Sequence, residues 1–221
     1  QLFLSGAYAG NTINVYGSDP GFSVASNGGT HTAWEDVALI REIPGAVICD
    51  PADDVQMEWI IKEFLKMEGI HYVRSNRKAV RNVYKKGSSF KIGQGNILKE
   101  GKDILIIAAG QLVSEALDCA EELEKEGYSV EVIDMFTIKP LDEKLLIKEA
   151  KGKSKIVTIE NHSIYGGLGS AVSEVIAENG ISVPVKRIGV KEKFGQVGTA
   201  EFLQEEFGLT AKQIKETICQ F

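Results

Sequence analysis

Three cysteines, Cys49, Cys119 and Cys219, are all that the sequence contains, and no Cys-x-x-Cys pair occurs among them. An odd, scattered set supports neither a disulfide framework nor a zinc site and fits a reducing cytoplasm. No apolar run approaches the ~18 residues of a membrane span, and no secretory signal pattern opens the chain. Basic charge is not in excess. The 25 Lys and Arg stand against 31 Asp and Glu, for a net charge of -6 and a pI near 5.3. That balance speaks against nucleic acid or an anionic membrane as partner. Repeats and low-complexity segments are absent. So is an initial methionine: Gln1-Leu2-Phe3 reads as the end of a helix, and the expectation is that a further segment lies upstream.

What is present is enough apolar material for real cores. Hydrophobic residues make up 43% of 221 positions, which allows one large domain or two small ones. Ile13–Gly17 reads as a strand, with Ser18-Asp19-Pro20-Gly21 turning out of its carboxyl end, and Gly45–Cys49 and His71–Arg74 read as further strands. Between the last two, a helix starts at Asp50–Asp53. Its apolar positions from Val55 to Leu65 wrap most of its circumference, which predicts burial on more than one side. Strand, helix, strand, helix, strand implies an α/β layer with a parallel sheet. Over 81–102 apolar density drops and glycines gather, as in a linker carrying a small hairpin through Phe90–Ile92 and Asn96–Leu98. A second α/β unit then occupies 103–221. Its strands fall near 104–109, 129–134, 155–160 and 185–190, its helices near 113–123, 142–150 and 167–178, and Thr210 with Gln213 caps a C-terminal helix.

The densest local pattern lies in Ser23–Pro51, around Asn27-Gly28-Gly29-Thr30-His31. Two glycines permit a sharp turn and close approach to a ligand. Thr32 and Glu35 match a T-x-x-E capping box, which predicts a helix starting just after His31 and places that imidazole at a helix N-terminus. There a neutral ring suits hydrogen bonding to sugar hydroxyls or a carbonyl. A satisfied loop histidine explains the same residues.

The run GGTHTAWEDVALIREIPGAVICDPAD resembles the pyrimidine-binding domain of the transketolase family, where a G-x-T/S-H segment and an E-D-x-A-x-x-R helix lead into a strand ending in P-A-D. Ile133–Asp142 and Ile159–Ala171 resemble two segments of that family's C-terminal domain, in the family's own order. The resemblance implies an incomplete pyrimidine-binding domain over 1–80 followed by a C-terminal-type domain over 103–221. It implies transfer of a two-carbon ketol unit between sugar phosphates by a thiamine-diphosphate enzyme, in a split version with an N-terminal subunit or domain as partner, and a homodimer. Thiamine diphosphate and Mg would be held by that other part, with the residues that activate and stack on the cofactor upstream of Gln1. His31 is the implied catalytic residue, and Asp19, Asn27, His31 and Arg74 are the implied substrate contacts.

Arg74 stands at the carboxyl end of its strand, where α/β sheets place ligand groups, and its planar fork suits a phosphate. Arg77, Lys78, Arg81, Lys85 and Lys86 follow, as an extension of that field or as a solvated helix face. Two positions depart from the family pattern. Asn27 replaces an acidic residue and Asp19 a histidine, both at donor-contacting places, so donor identity is open. Within the family, deoxyxylulose-phosphate synthase and the β chain of a 2-oxoacid dehydrogenase are alternatives. A non-catalytic, partner-binding paralogue is a third. Gly167-x-Gly169 lacks the third glycine of a dinucleotide fingerprint and reads as close helix–strand packing, with His162 as a structural hydrogen-bonder.

Overall fold

The computed structural model describes residues 1–221. Its first sheet gathers β1 (Ile13–Ser18), β2 (Val47–Cys49) and β3 (Ile70–Ser75), parallel and in the order β1-β3-β2. Helices α1 (Asp36–Arg41) and α2 (Asp54–Phe64) make the crossovers. The second sheet runs β4-β6-β5-β8-β9, with β5 (Ile104–Ala108), β6 (Val130–Asp134), β8 (Lys155–Ser163) and β9 (Val185–Val190) parallel and β4 (Asn96–Lys99) antiparallel at one edge. β5 and β6 are buried at every position, as continuous apolar strands covered on both faces must be. Helices α3 (Val113–Lys125), α4 (Glu143–Glu149), α5 (Leu168–Glu178), α6 (Ala200–Glu206) and α7 (Ala211–Gln220) complete the α/β layers. Thr210 and Gln213 close the expected capping box on α7.

The two units are not separate bodies. β7 (Thr137–Lys139), supplied by the second unit, pairs antiparallel with β2 and completes the first sheet. Phe22, Trp34 and Ala52 pack into the core on one face of the second sheet, and Val37, Ile48 and Tyr72 into the core on the other.

Three local expectations are corrected. The helix predicted just after His31 starts at Asp36, because the capping box does not close. Thr32 Oγ1 donates to Gly28 O at 2.9 Å, and Glu35 Oε2 accepts from the adjacent Trp34 N at 2.8 Å. Trp34 is drawn instead into the second unit's core, edge-on to Phe207 at 5.1 Å. The hairpin predicted near 90–98 is absent: Asn96–Lys99 pairs with β6, and Phe90 joins Trp59, Tyr84 and Phe136 in an aromatic cluster. α2 buries one face through Gln56, Ile60 and Phe64, while Ile61 and Leu65 remain exposed.

Candidate functional site

The carboxyl ends of β1, β2 and β3 lie side by side and carry Asp19, Asp50 and Arg74–Arg77. Parallel neighbours in register bring such strand-end residues to one edge, where an α/β sheet presents its ligand groups.

Arg74 does not face that edge. Only 1% of its side chain is accessible. Nε donates to Asp36 Oδ2 at 2.9 Å and Nη1 to Asp50 Oδ2 at 2.8 Å. Nη2 donates to Asp36 Oδ1 at 3.3 Å and to the Asn161 carbonyl at 2.9 Å. Tyr72 Oη donates to Asp36 Oδ2 at 2.6 Å. Burial pushes the Asp36 carboxyl up, but Arg74 and the Tyr72 hydroxyl together hold it below its ordinary value. Burial acts against the Arg74 cation too, and Asp36 and Asp50 more than compensate. The phosphate contact expected of Arg74 finds no free donor in this arrangement. Its donors are spent on protein acceptors, and it pins α1, β2 and β8 to one another.

Arg77, three residues further, is open. Its side chain is 65% accessible, and Nη2 sits 2.7 Å from Asp19 Oδ2, while its backbone N donates to Asp19 Oδ1 at 3.0 Å. Asp19 itself is buried and holds φ +57°, a left-handed conformation that Asp and Asn adopt more readily than most residues. A cavity of about 230 Å³ opens here between the β2–α2 turn and the segment after β3. Pro51, Asp53, Asp54, Asn76, Arg77 and Lys78 are among its walls.

Asn27 ends the kinked segment Gly21–Asn27 and His31 follows it in the next turn, and both are exposed. His31 Nδ1 is 2.9 Å from Thr30 Oγ1, and no hydrogen bond or ion pair joins His31 or Asn27 to Asp19 or Arg77. His31 occupies a turn rather than a helix N-terminus, so the dipole argument for its neutral form falls away. The turn is braced from the second unit: a Cβ on Gly29 would stand 2.5 Å from the Gly195 carbonyl, and one on Gly28 would stand 2.7 Å from Val197 Cγ2. Asn161 fixes the start of the same segment, donating to Pro20 O at 2.9 Å and accepting from Phe22 N at 3.1 Å.

Glu160 and His162 flank Asn161 on β8. Glu160 accepts from Leu168 N at 2.7 Å and Gly169 N at 2.9 Å, at the start of α5, and burial outweighs these bonds to push its carboxyl up to about 7. His162 Nδ1 lies 2.6 Å from Ser163 O, and burial followed by the Arg74 charge pushes the ring down to about 4. A Cβ on Gly167 would collide with Glu160, which accounts for the glycine there by close packing.

Sequence reasoning missed Asp36 and Asp50 as partners of Arg74 and the pairing of Asp19 with Arg77. A carboxylate ending each of two parallel strands, beside an arginine ending the third, was the available signal. No group of three or more His, Cys, Asp or Glu side chains converges to hold a metal ion.

A family model described as the transketolase C-terminal domain matches residues 93–214. The 6-deoxy-6-sulfo-D-fructose transketolase subunit SqwH of Clostridium sp. (strain MSTE9) is 42% identical over 97% of this chain and 66% of its own length. An apulose-4-phosphate transketolase subunit of Phocaeicola vulgatus is 34% identical over 100% of this chain and 70% of its own. Among solved structures, a split-gene transketolase described as an inactive β4 tetramer superposes with a TM-score of 0.89, at 35% identity, over 99% of this chain and 69% of that one. The chain thus spans about two thirds of the length of these two subunits and about a third of other curated relatives it matches, such as the transketolase of Homo sapiens.

Proposed function

The chain belongs to the transketolase family as a C-terminal part, and on that premise we propose that it supplies one portion of a thiamine-diphosphate-dependent, two-part transketolase. The reaction is transfer of a two-carbon ketol unit from a ketose to an aldose. Thiamine diphosphate, with Mg, supplies the carbanion chemistry, and in this reading both are held by the N-terminal subunit or domain. A homodimer of the paired parts brings the sites together.

Within this reading the chain orients the sugar. Asn27 and His31 offer a neutral amide and an imidazole to hydroxyls near the reacting carbon, and His31 holds or moves the proton there. Sugar phosphates are the substrate class that the resemblance implies. The cationic end they require is assigned to Arg77 and Lys78, which line the open cavity, and not to the buried Arg74. The single observation that carries the reading is the match of nearly the whole chain to transketolase subunits, together with an open cleft at the carboxyl ends of β1–β3.

The test is reconstitution. The chain is mixed with the N-terminal transketolase part, magnesium and thiamine diphosphate, and ketol transfer from a ketose to an aldose is followed. Transfer that needs both parts supports the reading. Cofactor-loaded pairs that decarboxylate pyruvate onto an aldose and transfer no ketol unit would establish the synthase reading instead.

A further inference from the structure

Asn76 lines the cavity that holds Arg77 and Lys78, and it also lines an adjoining one that Ser23 shares with Gln111 of the second unit. Its side chain is half-buried, and the amide oxygen accepts from Ser23 Oγ at 2.7 Å. Ser23 Oγ accepts in turn from Gln111 Nε2 at 2.9 Å. An amide nitrogen only donates, and a serine hydroxyl has a single hydrogen to give. The relay therefore runs one way, from Gln111 through Ser23 to the Asn76 oxygen. That order leaves Asn76 Nδ2 as the end turned away from Ser23. No acceptor in the protein takes its hydrogens, and the atom stays in contact with solvent.

Gln111 is held firmly enough to act at this distance. The residue before it, Gly110, has φ +66°, and its N donates to Asp50 O at 3.0 Å. A Cβ on Gly110 would stand 2.5 Å from Asp50 Oδ1. The carboxyl end of β5 is thus butted against the carboxyl end of β2, and Gln111 reaches across that joint to Ser23.

We propose that Gln111 is a positioning residue for the terminal phosphate of the sugar: through Ser23 it holds Asn76 with its NH2 group toward the cavity, where those hydrogens meet the phosphate beside Arg77 and Lys78. The inference rests on the ketol-transfer reading and deepens it, since it gives the second unit a part in substrate binding. A phosphate presents more acceptor sites than one guanidinium serves, and Arg77 Nη2 is already engaged with Asp19 at 2.7 Å. A neutral NH2 group next along the chain adds hydrogen bonds without a further charge. Gln111→Glu is the discriminating variant, because it keeps the shape and reverses the relay. A carboxylate there takes the serine hydrogen. Asn76 then turns over, donates to Ser23 Oγ and shows its oxygen to the incoming anion.

A ketose phosphate and the same ketose without its phosphate are compared in the assembled two-part enzyme. Gln111→Glu is expected to raise KM for the phosphorylated ketose by about tenfold or more, with kcat and the unphosphorylated ketose each moved by less than about threefold. Ser23→Ala breaks the relay without adding charge and should raise the same KM, whereas Ser23→Thr keeps the hydroxyl and should retain the wild-type value. In an Asn76→Ala background the further effect of Gln111→Glu should shrink to less than about twofold, since the residue it acts through is gone. In parallel, the chain is titrated with inorganic phosphate while the side-chain NH2 resonances of Asn76 are followed by NMR. Wild type is expected to show a saturable shift, and Gln111→Glu one that needs about tenfold more phosphate. Equal losses on the two ketoses overturn the inference, as do a wild-type KM in Ser23→Ala, a Gln111→Glu effect that persists without Asn76, or Asn76 resonances that phosphate leaves unmoved in wild type. Absence of transfer from either ketose by the wild-type pair would sink the ketol-transfer reading alone, and the phosphate titration would then decide the role of Gln111.

Discussion

Arg74 at the end of β3 donates a 2.9 Å hydrogen bond to the backbone carbonyl of Asn161 in β8, so one buried guanidinium joins the two sheets. The side chain of the same asparagine clamps Pro20 and Phe22 at the start of the segment that carries Asn27. The segment of the first unit that carries Asn27 is thus set from the second, through Asn161 and the buried cation that holds its carbonyl.

Replacing Arg74 by Met is expected to act on stability. Asp36 and Asp50 would be left buried without their counter-ion, a loss of roughly 3–5 kcal/mol. Urea denaturation of the chain checks this. A variant as stable as wild type, with only a raised KM for anionic donors, would return Arg74 to the substrate.

His31 gives the opposite pattern. Exposed, with its one ring contact to the neighbouring Thr30, it can be replaced by Ala at a stability change within about 0.5 kcal/mol. In the assembled enzyme kcat is expected to fall by roughly 10²-fold, the scale of a lost proton-transfer group. Unchanged kcat would make His31 an ordinary loop residue.

The brace between the Gly28–Gly29 turn and the second unit is tested by Gly195→Ala. The added methyl would meet Thr32 and come within 2.9 Å of Gly29 Cα. The turn must shift, so hydrogen exchange at residues 28–32 should rise and kcat/KM should fall by about tenfold or more, beyond what a destabilisation of about 1–3 kcal/mol explains. Unaltered exchange would show that the two loops do not constrain each other.

Acid–base behaviour follows from buried groups on β8 and β6. Burial raises Glu160 from 4.5 and Asp134 from 3.8, each to about 7. Between the ordinary and the folded values, the folded chain keeps protons that the unfolded chain releases, so stability falls as pH rises toward about 7. His162 opposes this. Its folded value of about 4 lies below the ordinary 6.5, and its contribution is lost as pH falls through that interval. Glu160→Gln removes one titration and should flatten the decline between pH 5 and 7.5, by an amount on the order of 1–3 kcal/mol in urea-derived stability. An identical slope in wild type and variant would show that Glu160 does not titrate there.

Strong local patterns were legible in the sequence. The apolar run Ile104–Ala108 and the Thr210–Gln213 capping box depend on neighbours a few residues apart, and both form as read. The extended loop before α1 was not legible, because Trp34 obeys a core assembled from the far end of the chain, including Phe207. β7, three residues within Ile133–Asp142, has too few side chains to show a period, and its partner β2 lies some 90 residues earlier. At the site, the glycine turn and the strand-end charges could be seen. Which arginine stays in solvent could not, since carboxylates from other elements reach both Arg74 and Arg77, and they differ in how far the surrounding elements cover them.

The three residues of β7 have a mechanical consequence. By lending a strand to the sheet of its neighbour, the second unit makes the pair behave like cloth sewn with a shared thread. Pulling the halves apart would rip a hydrogen-bonded seam beside Ile48 and Cys49 and open both faces of the larger sheet at once. A hinge between them has nowhere to bend, and heating is expected to melt both together in a single calorimetric peak. Cutting the chain at the linker and remixing the pieces would leave β2 with a bare edge until the second piece docks.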